Sequence, residues 1–178
     1  MRIKFLVVTL ATAVGCVTGA VPAAAMGSGN PYQDLQVGVT YTVYQPTYVA
    51  GLASQHVGPN LVPAAPGVEQ NLLAVFGKKG GRTFNITEGN PITSDIGEAY
   101  LVRTVTVQGQ RAKIYAYCYP APDESCTFKE IARKGGYLDV TLPAGPNLRE
   151  TRVWVETHSK PITGKQLIRI ARGLRTVG

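Results

Sequence analysis

Few side chains in this sequence have the type and spacing to do chemistry. The two histidines are His56, in a stretch crowded with proline and glycine, and His158, two residues after Glu156. Positions i and i+2 of a strand share a face, so Glu156 and His158 form a candidate carboxylate–imidazole dyad of the kind general acid–base catalysis uses. The competing reading of either histidine is a solvated surface side chain. Asp123 and Glu124 are adjacent carboxylates, but they sit among turn formers and read as turn residues. Gly77-Lys78-Lys79-Gly80-Gly81-Arg82 is glycine-rich and basic, yet it lacks the spacing of a nucleotide-binding loop and does not lead into a helix. The sequence contains no Gly-x-Ser-x-Gly elbow and no His-Glu-x-x-His helix, and no His or third Cys stands nearby to complete a zinc site. The common hydrolytic, metal and nucleotide chemistries are therefore not expected, and no metal or cofactor is expected either.

The three cysteines divide into Cys16 and the pair Cys118 and Cys126. Seven residues separate that pair, which is wrong for thioredoxin chemistry, and the intervening Tyr119-Pro120-Ala121-Pro122-Asp123-Glu124-Ser125 is rich in turn formers. In an oxidising compartment the two are expected to be joined, as a local staple contributing roughly 2–3 kcal/mol through loop entropy.

The N-terminus points to such a compartment. Arg2 and Lys4 precede an uncharged run from Phe5 to Gly15, and Ala23 and Ala25 fit an A-x-A cleavage pattern just after Pro22. Residues 1–25 read as a signal peptide, leaving 26–178 as the mature chain. A second processing reading takes Ala13-Val14-Gly15-Cys16 as a lipobox, with Cys16 acylated. The expected location is secreted or cell envelope. No later stretch reaches the roughly 18 apolar residues that a membrane-spanning helix needs.

The chain has 178 residues and a formal net charge of +7, with 44% apolar and 16% charged residues. This suits one folded domain and excludes a highly charged disordered chain. The charge is uneven: residues 27–99 hold three basic and five acidic side chains, residues 100–178 thirteen and six. Outside the cytoplasm a basic surface meets anionic lipid, acidic cell-wall polymer or acidic protein rather than nucleic acid. Lys165, Arg169 and Arg172, followed by Lys78, Lys79 and Arg82, are the candidate anion-binding residues. The alternative is a solvated face that keeps the protein soluble.

Elements to position these residues follow from local pattern. Alternation predicts a strand over 37–44, and Pro46 interrupts or edges it. Pro59, Pro63 and Pro66 with Gly58 and Gly67 predict an extended surface connection over 56–67. Residues 71–76 and 83–87 predict a hairpin around the basic tip, and 99–107 with 111–119 a second one around Gln108-Gly109-Gln110. A loop containing Pro91 is expected over 88–97. Residues 125–134 read as one or two helical turns capped by Ser125 and stopped by Gly135-Gly136, with a strand the alternative. Strands are expected over 137–142 and 149–157, the latter carrying Trp154. Thr163 is a candidate N-cap for a helix running to Thr176. Leu167, Ile170, Ala171, Leu174 and Val177 fall on its inner face, and Lys165, Arg169 and Arg172 form an outward basic ridge.

Three segments resemble a known family. Tyr44-Gln45-Pro46-Thr47-Tyr48-Val49-Ala50-Gly51 resembles the P-x-Y-L-P-x-G opening of an extracytoplasmic domain of unknown function found in bacterial lipoproteins and anti-sigma-factor-like membrane proteins. Val105-Thr106-Val107-Gln108-Gly109-Gln110-Arg111-Ala112 is similar to its v-x-v-x-G-x-x-A hairpin, and Gln166-Leu167-Ile168-Arg169-Ile170-Ala171-Arg172-Gly173-Leu174 to its closing L-I-x-I-A-x-S-L helix. The resemblance implies an open antiparallel sheet covered by a C-terminal helix, and a sensory or binding role with no catalytic residues.

Together these readings give a single α+β domain, an antiparallel sheet packed against a C-terminal amphipathic helix, acting as an exported non-catalytic binding or envelope-associated module. Two rivals stand beside it. One is a secreted enzyme acting on envelope polymers through His158 or His56 with a carboxylate, which needs a deep pocket. The other is a secreted effector that recognises a protein partner through its sheet edge.

Overall fold

Alternating apolar residues give the chain its strands, and hairpins assemble most of them into one sheet. The computed structural model describes residues 27–61, 66–78, 80–92, 98–122, 124–158 and 162–177. The expected signal peptide over 1–25 with Cys16, and Lys79 and Asp123, lie outside the described residues. The elements in chain order are α1 (Pro31–Gln36), β1 (Tyr44–Pro46), β2 (Ser54–Pro59), β3 (Leu72–Gly77), β4 (Thr83–Gly89), β5 (Tyr100–Val107), β6 (Gln110–Ala116), α2 (Phe128–Lys134), β7 (Gly136–Leu142), β8 (Thr151–Thr157), α3 (Gly164–Arg172) and β9 (Leu174–Thr176). Seven strands form an antiparallel sheet in the order β2-β3-β4-β8-β7-β6-β5, and β1 pairs with β9 in a separate two-stranded ribbon. The architecture is α+β.

Period-two alternation sorts the strands into a buried face and a second face. Ala74, Ile86, Val155, Leu138 and Ile114 lie in register across five strands and are all buried. The ring of Phe76 stacks on that of Phe84 with centroids 4.7 Å apart. α2 and α3 close this face through Ile131, Leu167, Ile170 and Ala171. Removing a side chain such as Leu167 or Ile170 fully from water stabilises the fold by roughly 2–3 kcal/mol.

α3 begins where the sequence places it, with a capping box in which Thr163 and Gln166 satisfy each other's backbone amides. It ends earlier than its periodicity predicts. Gly173 stops the helix, and Leu174–Thr176 leave it to pair with Tyr44–Pro46. Gln108 contributes to this ending. It sits with Gly109 in a two-residue turn where both φ angles are positive, +48° and +78°. Its Nε2 donates to the carbonyls of Ala171 and Leu174 at 3.3 and 2.9 Å, satisfying the helix end from outside.

Three other expectations are corrected. The strand predicted over 37–44 is not one: β1 starts only at Tyr44, Tyr41 makes an isolated bridge with Arg149, and α1 precedes them. Tyr41, Thr42, Val43 and Tyr44 are buried in succession. The amides of Thr42, Val43 and Tyr44 are met by the Arg149 carbonyl and the Gln36 and Glu88 side chains, and the ladder with β9 begins only at Tyr44. The connection predicted over 56–67 instead contains β2, which uses Pro59 at its last position on a sheet edge, where a missing N–H is tolerated. The helix at 128–134 is capped by Thr127, not Ser125, through a capping box with Glu130.

Cys118 and Cys126 form the expected disulfide, with Cα atoms 6.3 Å apart, and both are buried. No helix among the described residues is long and apolar enough to cross a membrane.

Candidate functional site

The second face of the sheet carries the polar and aromatic residues that alternate with the core. One row, read across the strands by register, is Tyr115, Tyr137 and Glu156; the next is Lys113, Asp139, Trp154 and Thr87. α2 and α3 pack on the opposite face, so no described helix covers these rows. The chain after β4 enters one side of this face, where the Asn71 side chain donates to the Pro91 carbonyl at 2.8 Å. Ile92 and Trp154 are both buried, and neither belongs to the main core cluster.

The half-buried Tyr115 and Tyr137 rings stack with centroids 4.7 Å apart and planes 16° from parallel. Tyr117 and Trp154 extend the cluster, each with its ring centroid about 6 Å from Tyr137. Burial, then the neighbouring Tyr115, pushes the Tyr137 phenol up to about 12. Beside the aromatics, Arg152 binds Asp139 in a two-point fork, Nε to Oδ1 at 2.9 Å and Nη2 to Oδ2 at 2.7 Å. The same guanidinium lies 5.1 Å from the Trp154 ring centroid, a cation–π contact that fixes it over the indole. Arg111, Lys113, Asp139, Thr141 and Arg152 line an open hollow of about 330 Å³ on this face.

The Glu156–His158 pair read from strand spacing is present. His158 Nε2 lies 3.1 Å from Glu156 Oε1, and the Tyr117 hydroxyl donates to the same oxygen. Tyr117 also stacks on the imidazole, centroids 5.7 Å apart. Burial pushes the Glu156 carboxyl up, but hydrogen bonds from His158 and Tyr117 outweigh it and hold the group below the usual carboxylate range. The same bond holds His158 protonated to higher pH than usual. The His158 side chain is 62% exposed at the strand end, so the pair lies at a rim and not within an enclosing pocket. His56 is exposed on the edge strand β2.

The five described basic candidates, Lys79 lying outside the described residues, are not brought together as one uniform surface. Lys165, Arg169 and Arg172 do lie on the exposed side of α3. Arg169, however, covers the Tyr48 ring at 4.1 Å, and Arg172 donates to the Thr106 carbonyl. Lys78 and Arg82 stand at the β3–β4 tip, where they line a hollow of about 570 Å³ with Gly51, Leu52, Ala53 and Gln55. Register places that tip beyond the Thr157 end of the sheet, whereas Arg172 reaches the β5–β6 turn at the other end.

Sequence reasoning did not find Glu88. This carboxyl is fully buried on the helix-covered face, accepts the Tyr44 N–H at 2.9 Å, and is ringed by Tyr32, Tyr41 and Tyr44. Burial pushes it up to about 8. It anchors the N-terminal segment to the sheet. The tyrosine face was missed as well, although its signal was there: Tyr115, Tyr137 and Glu156 occupy the outward phase of β6, β7 and β8, and Tyr117 and His158 continue that phase just past the ends of β6 and β8.

Compared with family models, curated proteins and solved structures, this chain has no significant match.

Proposed function

We propose that the chain is an exported, non-catalytic binding module that takes a polar envelope polymer across the face of its sheet that no described helix covers. The observation that carries this reading is the half-exposed Tyr115–Tyr137 stack with charged groups on both sides, Glu156 and His158 on one and Lys113, Asp139 and Arg152 on the other. Aromatic faces accept the C–H faces of sugar rings, and flanking carboxylates and cations satisfy hydroxyl and acidic substituents. The disulfide and the sequence-level signal peptide support a location outside the cytosol, and the family resemblance agrees with a binding role.

Co-sedimentation of the mature protein with insoluble cell-wall polysaccharide, at low and high salt, tests this. Tyr137→Ala is expected to weaken retention about tenfold, and Lys113→Ala is expected to reduce the salt-sensitive part only. Retention that is absent, or unchanged in Tyr137→Ala, rules the reading out.

The enzyme reading has the His158–Glu156 pair on its side, but that imidazole stands in solvent, where a reacting group gains little from a low-dielectric surrounding. The sheet-edge reading loses support at both edges. β2 ends in Pro59 and carries a register shift, and β5 has a second shift at Leu101/Arg103 and an arginine bonded to Thr106.

A further inference from the structure

From the hollow between the Gly51–Gln55 approach and the β3–β4 tip, we infer a second binding site, distinct from the tyrosine face, that seats a phosphate group through Arg82 and Lys78. Both cations line this hollow, and Leu52 supplies an apolar part of its wall. Arg82 is half-buried, its Nε is shielded from water, and that nitrogen has no hydrogen-bond partner among the described residues. Because Nε is out of reach of solvent, an oxyanion in the hollow meets the guanidinium through its Nη atoms, and the added negative charge offsets the poor solvation of the shielded donor.

Several exposed arginines, by contrast, are engaged internally. Arg149 pairs with Glu69, Arg152 with Asp139, and Arg172 and Arg175 with backbone carbonyls. Neither Lys78 nor Arg82 forms an ion pair with a described carboxylate. The seat is also held in shape before any ligand arrives. Gly77 N–H donates to Ala53 O at 2.8 Å, tying one wall to the other, and Gly81 N–H donates to Lys78 O at 2.9 Å across the tip. Gly77 adopts φ +117°, and a Cβ there would run into the Arg82 carbonyl and come within 2.9 Å of Thr83 Cα. Glycine is therefore required for the backbone path that presents Arg82 to the hollow. A phosphate group suits two cations better than a carboxylate, because it offers a bidentate edge to the guanidinium and a further oxygen to the ammonium.

The test is an amide NMR titration of the disulfide-intact mature chain with inorganic phosphate, with acetate, and with phosphatidylglycerol vesicles at matched ionic strength. Phosphate is expected to shift the signals of residues 51–55 and 77–82 with a Kd on the order of 1 mM. Arg82→Gln is expected to raise that Kd at least about tenfold, and Lys78→Gln, which alters an exposed side chain, several-fold. A vesicle response through the same signals identifies a lipid headgroup as the source, and a phosphate response without one identifies free or polymer-borne phosphate. Three results overturn the inference: no shift in these segments, shifts that persist unchanged in both variants, or an acetate response as strong as that to phosphate. Because the Tyr115 and Tyr137 signals report on the other face, failure here is distinguishable from failure of polymer binding.

Discussion

The Arg172 guanidinium donates from Nε and Nη2 to the Thr106 carbonyl, at 3.3 and 3.1 Å. Val107 and Gln110 close the two-residue β5–β6 turn as a hydrogen-bonded pair, so the Thr106 peptide groups face away from β6, off the free edge of the sheet. A residue that looks like part of a basic ridge on α3 is thus an edge cap. Arg172→Ala is expected to lower stability by about 1 kcal/mol and to introduce concentration-dependent self-association through β5. Denaturant melts and sedimentation velocity read the two effects; a variant that stays monomeric at all concentrations refutes the edge-cap role.

Gly164 opens α3 against α2. A Cβ there would overlap the Phe128 ring and lie 3.1 Å from Ile131 Cδ1. Alanine is the better helix former by at most about 1 kcal/mol, whereas overpacking of a helix crossing costs about 1–3 kcal/mol. Packing wins, so Gly164→Ala is expected to lower the melting temperature. A rise would show that α2 moves aside freely.

Glu88 sets a pH dependence of its own. Its folded value is raised from 4.5 to about 8 by burial, so between those values the folded chain holds a proton that the unfolded chain has released. Stability therefore falls as pH rises through that window. Glu88→Gln keeps an oxygen for the Tyr44 N–H and removes the titration. Its urea midpoint is expected to stay level across the window while the wild-type midpoint declines, and parallel curves would contradict this.

At the rim of the tyrosine face the sign is opposite for the two partners. His158 is raised above 6.5 by Glu156, so its contribution is complete below 6.5 and is lost as pH rises through the folded value. The Glu156 value is lowered, so its contribution is present above 4.5 and is lost as pH falls. The pair is strongest between those limits. In Glu156→Gln the His158 imidazole, followed by NMR, is expected to titrate closer to 6.5; an unmoved titration would mean that the carboxylate is not its partner.

The Cys118–Cys126 bridge closes a short loop next to α2, and its loss is expected to cost about 2–3 kcal/mol without unfolding the sheet. Thermal melts of the Cys118→Ser/Cys126→Ser variant should show one lowered, cooperative transition. Loss of the strand signal altogether would mark the staple as essential.

The hairpins β3–β4 and β5–β6, the strands β7 and β8, the Thr163 N-cap of α3 and the cysteine pairing were legible from the chain alone, because each depends on neighbours within a few residues: alternation, turn formers, a capping hydroxyl. What the sequence could not settle depends on partners far away along the chain. Leu174 continues the spacing of α3, yet Tyr44–Pro46 captures Leu174–Thr176 as a strand. Tyr41 to Tyr44 read as an alternating strand, yet the segment lies across the sheet end with successive residues buried. The stack of Tyr115 on Tyr137 and the approach of both to Glu156 exist only because β6, β7 and β8 are neighbours in the sheet. Strand order is decided by how buried faces combine into one core, a property of the whole chain that no local pattern contains.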